Sequence, residues 1–341
     1  MSMLDFIRRE RIYIWMALFV IAVNLLLIGH PHKKSQEPAS RKSISAQTFK
    51  NMGITENKVR LFFESRSLKS VFFKYSFMFG FFILMAGIVM NLIFLLGKKE
   101  IIPKGIPAGK PVLWGISDIV RIGVIVVFAG YMLSAISALA HFNADLNLRM
   151  ILGTFFIDIT AGAAILYFAL VKYKEKLSSL GLGIFDFYKN VFSGITAYIF
   201  MLPVLITALI LSMLILNVLG YKPPSQPVFD MFFEEKRSSV ILFLAVFVSV
   251  LGPVIEEIFF RGFLYNAVKK RFGILSGALL SGALFSILHT NIVGFLPILI
   301  LGILMAFLYE TTGSLVASMS VHILHNSIIV CLVFFIKELL K

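Results

Sequence analysis

The chain has 341 residues, of which 59% are hydrophobic and only 15% charged, with 35 phenylalanines and a formal net charge of +14. A soluble globular domain is about half apolar and about a quarter charged, so the composition excludes that class and describes a polytopic membrane protein. The positive charge does not point to nucleic acid, because the lysines and arginines gather at the ends of apolar runs, where the positive-inside rule expects them.

The N-terminus carries Arg8, Arg9 and Arg11 ahead of an apolar run from Ile12 to Ile28. No small-x-small cleavage site follows, so this reads as an uncleaved first span rather than a signal peptide. Residues 30–70 are the long polar stretch, with nine Lys/Arg against three Glu. The early part reads as a linker, and His30 and His32 within it as solvated side chains rather than metal ligands. The later part, Thr55 to Lys69, is expected to form a basic amphipathic helix on the bilayer, presenting Val59, Leu61, Phe62, Phe63 and Leu68.

Further apolar runs occupy about 71–97, 116–141, 150–171, 191–220, 239–263, 275–293, 294–309 and 314–336. Most reach the roughly 20 residues that span hydrocarbon. The expected fold is therefore an all-α transmembrane bundle of about nine spans, with a polar active-site cavity in its C-terminal half. Within the tight 275–309 pair, one member is expected to be short or tilted. A cytoplasmic N-terminus puts Lys98, Lys99, Lys104 and Lys110, then Lys172, Lys174 and Lys176, then Lys269, Lys270 and Arg271 on the inside. The basic 30–70 segment violates that rule.

Asp118, Arg121 and Asp158 lie in or near the third and fourth spans and read as an intramembrane ion-pair set. Leu180-Gly181-Leu182-Gly183, with Asp186, Lys189 and Asn190, reads as an interfacial turn. Residues 221–238 form a proline-rich loop. The lone Cys331 excludes an internal disulfide and a cysteine-based zinc site. The organisation read from these breaks is an anchor plus linker at 1–70, accessory helices at 71–179 and a catalytic core at 180–341.

In that core, Glu256 and Glu257 stand five and four residues before Arg261, in otherwise apolar sequence. Ionisable groups at membrane depth are costly and usually face a protein interior or a wet cavity. Glu257 and Arg261 are i and i+4 on one helix face, and Glu256 points about 100° away. One glutamate can hold the arginine while its neighbour stays free. His289 closes Phe285-Ser286-Ile287-Leu288-His289, and His322 and Asn326 are i and i+4 on the last span. Two glutamates, two histidines and an asparagine on three spans suit peptide hydrolysis, which needs a base for water, a cradle for the oxyanion and an acid for the leaving amine. Ser281, Ser286 and Ser318 lie close by without a nucleophile-elbow pattern and read as packing or back-bonding residues.

The series Glu-Glu-x-x-x-Arg, Phe-x-x-x-His and His-x-x-x-Asn, here Glu256, Glu257, Arg261, Phe285, His289, His322 and Asn326, resembles the CPBP (Abi) family. That family includes the type II CAAX prenyl endopeptidases. The resemblance covers roughly 180–336 and takes in the stretch from Gly302 to Leu315. It implies an intramembrane glutamic endopeptidase in which Glu256 and His289 activate water, His322 and Asn326 stabilise the oxyanion, and Glu257 with Arg261 shapes the site. The implied partners are a membrane-associated protein or peptide substrate and the lipid bilayer, with no nucleic acid and no cofactor, at the cell membrane. His325 is not a motif position and is expected to support the site or pack. Two other readings stay open. In one, a zinc protease uses Glu256, His289 and His322 as ligands; in the other, a non-enzymatic transporter or immunity protein uses the same buried carboxylates.

Overall fold

A computed structural model describes residues 3–29, 55–97, 112–139, 146–221, 223 and 226–340. His30, His32, the early linker, Lys98, Lys99, Lys104 and Lys110 lie outside the described residues. The described chain is helical, and it divides into two compact units.

One unit contains α1 (Met3–Gly29), α4 (Ile116–Leu139) and α5 (Leu146–Leu166), which runs on into a π turn at Tyr167–Lys172. Its interior is pinned by charge. Arg121 donates to both carboxylate oxygens of Glu10 and to Asp118. Asp118, 1% exposed, also accepts from Lys172 Nζ at 2.7 Å, Tyr173 Oη at 2.6 Å and Gly115 N at 3.1 Å. Two carboxylates and two cations cancel, and the aspartate's lone pairs are filled; without both, burying these groups would be prohibitive. Of the set read from Asp118, Arg121 and Asp158, the pair of Asp118 with Arg121 is present. The other main partner of Arg121, Glu10, lies more than a hundred residues upstream.

The second unit contains α2 (Glu56–Glu64), α3 (Leu68–Leu96) and everything from Ser178 onward. Here α6 (Phe187–Val218), α7 (Pro227–Glu234), α8 (Ser238–Val246), α9 (Gly252–Glu257), α10 (Asn266–Leu288), α11 (Phe295–Thr312) and α12 (Leu315–Leu339) follow in order. Two π segments, Phe247–Leu251 and Ile258–Tyr265, separate α8, α9 and α10.

Seven described helices are long and apolar enough to cross a membrane. One of them, Ser238–Leu288, has 51 residues and a break at Gly273, where φ is 86°. Ser281 Oγ nevertheless donates to Phe260 O at 2.9 Å. In a straight helix atoms 21 residues apart would be about 30 Å distant, so the chain doubles back at Gly273 and this element crosses twice. Gly273 supplies the positive φ that a residue with a side chain resists. Counted in this way, the seven described helices approximate the expected nine spans. The return leg from Gly273 to Leu288 is the short member of the 275–309 pair. The protein is a multi-pass integral membrane protein.

Two expectations change. The 55–69 stretch is not one helix: Glu56–Glu64 forms α2, the chain breaks at 65–67 and α3 begins at Leu68, and the Phe62 and Phe63 rings pack on Phe335 of α12 with centroids 5.8 and 5.7 Å apart. Those apolar residues seek protein rather than lipid, while Leu61 and Leu68 remain exposed. The proline-rich loop contains α7, which Pro227 starts at a position where its missing N–H costs nothing.

Glycines set the close approaches. A Cβ on Gly302 of α11 would lie 2.9 Å from Gly282 Cα of α10. Small residues let helix backbones meet in this way in membranes, where no hydrophobic force draws helices together. Lys269 Nζ donates to Glu310 near the end of α11, and Lys337 Nζ donates to Phe232 O and Glu235 O near the end of α12. Since α11 and α12 are joined by a short turn, these are opposite ends of the unit. The helix α2, seated on Phe335, is therefore at the end away from Lys269, Lys270 and Arg271. The basic 55–69 stretch stays at odds with the positive-inside rule.

Candidate active site

The two adjacent glutamates have opposite environments. Glu257 is fully buried; its Oε1 accepts from Arg261 Nη1 at 2.6 Å and from His322 Nδ1 at 2.9 Å. Arg261, also fully buried, spends a second donor on Gly302 O at 3.1 Å and lays its guanidinium over the Phe285 ring at 4.6 Å. The side chain of Glu256 is 31% exposed, and its Oε2 has no hydrogen-bond partner among the described residues. That oxygen stands 3.7 Å from His322 Nε2. As 100° of helical rotation implies, the two carboxylates lie in different surroundings, Glu257 against Arg261 in the interior and Glu256 partly exposed.

Phe285 organises the histidines. Its ring meets His289 at 4.4 Å and His322 at 5.3 Å, both edge-on. The phenylalanine of the Phe-x-x-x-His pattern thus has a physical task, holding two imidazoles and a guanidinium around one ring. His289 gives Nδ1 to Phe285 O at 2.7 Å. A carbonyl can only accept, so Nδ1 carries the proton and Nε2 of the neutral ring is an acceptor. By the same logic His322 gives its Nδ1 proton to the Glu257 carboxylate. Only the doubly protonated ring can then also donate from Nε2.

Asn326 is placed differently from the rest. Its Nδ2 donates to Val248 O at 2.9 Å, a backbone carbonyl in the first π segment. One N–H of that amide is therefore committed to the helix and one remains. His325 faces α6, with Nδ1 3.1 Å from Tyr198 Oη, as a residue outside the motif would. The three nearby serines all donate to carbonyls: Ser281 to Phe260, Ser286 to Phe295 at 2.6 Å and Ser318 to Leu315 at 3.1 Å.

Sequence reading missed a second polar knot. Glu310, 6% exposed, accepts from Tyr265 Oη at 2.8 Å as well as from Lys269, and Asn266 Nδ2 donates to Tyr309 Oη at 2.8 Å. A glutamate in an apolar run was the available signal. A cavity of about 340 Å³ opens between the turn containing Asp186 and Lys189 and the loop Thr311 to Ser314; none of the six site residues lines it. Among the described residues, no three His, Cys, Asp or Glu side chains converge as a metal-holding group.

Residues 238–328 match the family model described as type II CAAX prenyl endopeptidase Rce1-like, a stretch containing all six site residues. The chain is similar to the putative membrane peptidase YdiL of Bacillus subtilis (strain 168), 29% identical over 82 residues that cover 24% of this chain and 34% of that one. It is also similar to the membrane-embedded CAAX protease MroQ of Staphylococcus aureus (strain USA300), 26% identical over 145 residues, 40% of this chain and 57% of that one. The matched regions thus span between a third and somewhat over half of those relatives' lengths. No solved structure matches the chain. The resemblance to the CPBP family carried by the three motifs is borne out by these matches.

Proposed function

With a CPBP-family segment at residues 238–328 as the premise, we propose that the chain is an intramembrane endopeptidase of the glutamic type. Its catalytic core is residues 180–341, and residues 1–70 and 71–179 act as anchor and accessory helices in the cell membrane. The observation that carries this is the asymmetry of the glutamate pair: Glu257 is fully buried and tied through Oε1 to Arg261 and His322, while Glu256 is 31% exposed and stands beside the His322 imidazole outside hydrogen-bond distance.

In this reading Glu256 and His289 Nε2 hold a water molecule between them. Glu256 takes a proton from that water as its oxygen bonds to the scissile carbonyl carbon. The resulting oxyanion accepts from Nε2–H of His322, whose Nδ1–H donates to Glu257, and from the free N–H of Asn326. Collapse breaks the C–N bond, and Glu256 returns its proton to the departing amine. Glu257 and Arg261 orient His322. The substrate is a membrane-associated peptide or protein, with a prenylated CAAX-type tail as the leading class.

The test is cleavage of a prenylated CAAX peptide, and of transmembrane peptides, by purified protein in detergent before and after exhaustive chelation. Activity that survives chelation and disappears in Glu256→Gln supports this reading. Loss on chelation with recovery on added zinc would replace it with the metalloprotease. A biological activity that survives both Glu256→Gln and His289→Ala would replace it with the transporter or immunity protein.

A further inference from the structure

The turn that carries Glu256 and Glu257 is bracketed by the two π segments. A π turn closes i to i+5 hydrogen bonds, so where it meets α-helix the ladder slips by one residue and a carbonyl is left without its usual backbone donor. At Val248 this loss can be traced atom by atom. The Gly252 N–H is committed to Phe247 O, and the next candidate donor, residue 253, is a proline with no N–H. Val248 O accepts instead from Asn326 Nδ2, which reaches across from α12.

In the second π segment two carbonyls likewise accept from side chains. Phe260 O accepts from Ser281 Oγ, on the returning leg of α10 and itself fully buried. Gly262 O accepts from Asn266 Nδ2 at 2.8 Å, while the backbone N–H of Asn266 turns to Phe263 O. Asn266 is in turn anchored on α11 through Tyr309.

We propose that Asn326, Ser281 and Asn266 are positioning residues that hold the two π turns open, and so fix the helical register in which Glu256 meets His322 and Glu257 meets Arg261. A buried carbonyl without a donor is costly, most of all in a membrane. Without these donors each π turn tightens towards α-helix. Absorbing one residue rotates whatever lies beyond by about 100°, which carries a carboxylate or the guanidinium away from its partner. Asn326 therefore has a duty to the backbone that is independent of any oxyanion. The kinetic consequence rests on Glu256 being the base; the structural one does not.

The experiment compares hydrogen exchange in detergent for wild type, Asn326→Leu, Ser281→Ala and Asn266→Leu, which remove donors without adding charge. Asn326→Leu should speed exchange about tenfold in peptides covering 247–251 and leave 258–265 unchanged; the other two variants should show the reverse. On an internally quenched membrane peptide, each should lose about tenfold or more in kcat with KM unchanged. Asn266→Ser, whose hydroxyl can reach the i−4 carbonyl, should recover most of that loss. The exchange measurement needs no substrate, so a wild type that cleaves nothing would sink the endopeptidase reading and leave the clamps to be judged on exchange alone. Unchanged exchange in both π segments, or Asn266→Ser as impaired as Asn266→Leu, would overturn the proposal.

Discussion

At the scale of single residues, two neighbouring glutamates of identical chemistry stand in different surroundings. Glu257 is the counter-charge of a buried arginine, so Glu257→Ala leaves Arg261 unpaired among aromatic rings. Breaking a buried pair from one side costs about 3–5 kcal/mol. We expect Glu257→Ala to lower both activity and the denaturant midpoint. Glu256→Gln touches no such pair and should abolish cleavage with its unfolding curve unchanged; equal destabilisation by the two substitutions would contradict the assignment. This split was legible in the sequence because spacing of four along a helix is enough to pair Glu257 with Arg261. The commitment of Asn326 to Val248 O was not legible, because it depends on a π turn that no side-chain period announces.

Among the elements, the site depends on how closely α10 and α11 approach. Gly282 and Gly302 let the backbones meet, and that contact puts Gly302 O within reach of Arg261 Nη2. Gly302→Ala should push the helices apart, costing about 1–3 kcal/mol as overpacking does, and should reduce activity along with stability. Unfolding and turnover measured together check this. At the α7–α8 junction, Glu235 accepts from the Arg237 side chain and from the backbone N–H groups of Arg237 and Lys236, and its pKa is lowered from 4.5 to about 2. Its folded pKa lies below its unfolded one, so its stabilisation is complete above about pH 4.5 and is lost as pH falls from there towards 2. Thermal stability of Glu235→Gln should accordingly vary less with pH across that window than wild type; an identical slope would rule the contribution out. Spans themselves were read well, because apolar length is a property of composition. The seat of α2 on Phe335 was not, since it is settled by tertiary contacts.

For the molecule as a whole, composition alone announced the class, an all-helical membrane protein, and the C-terminal motifs fall within the stretch that the family model matches. What composition could not reveal is the grouping. The first, third and fourth crossings, counted along the chain, form one unit around Asp118 and Arg121, and α3 joins the helices after Ser178 in the other. Such pairings rest on single side chains far apart in sequence, Glu10 with Arg121 in the first unit and Asn91 with Phe200 O in the second. The proposed mechanism turns on Glu256 acting as a base on water without a metal. The most direct measurement is peptide-bond cleavage of a membrane peptide by the purified, chelator-treated protein, with wild type and Glu256→Gln side by side. Turnover by wild type and none by the equally stable Glu256→Gln is the predicted result; equal turnover by both, or no turnover until zinc is restored, would contradict it.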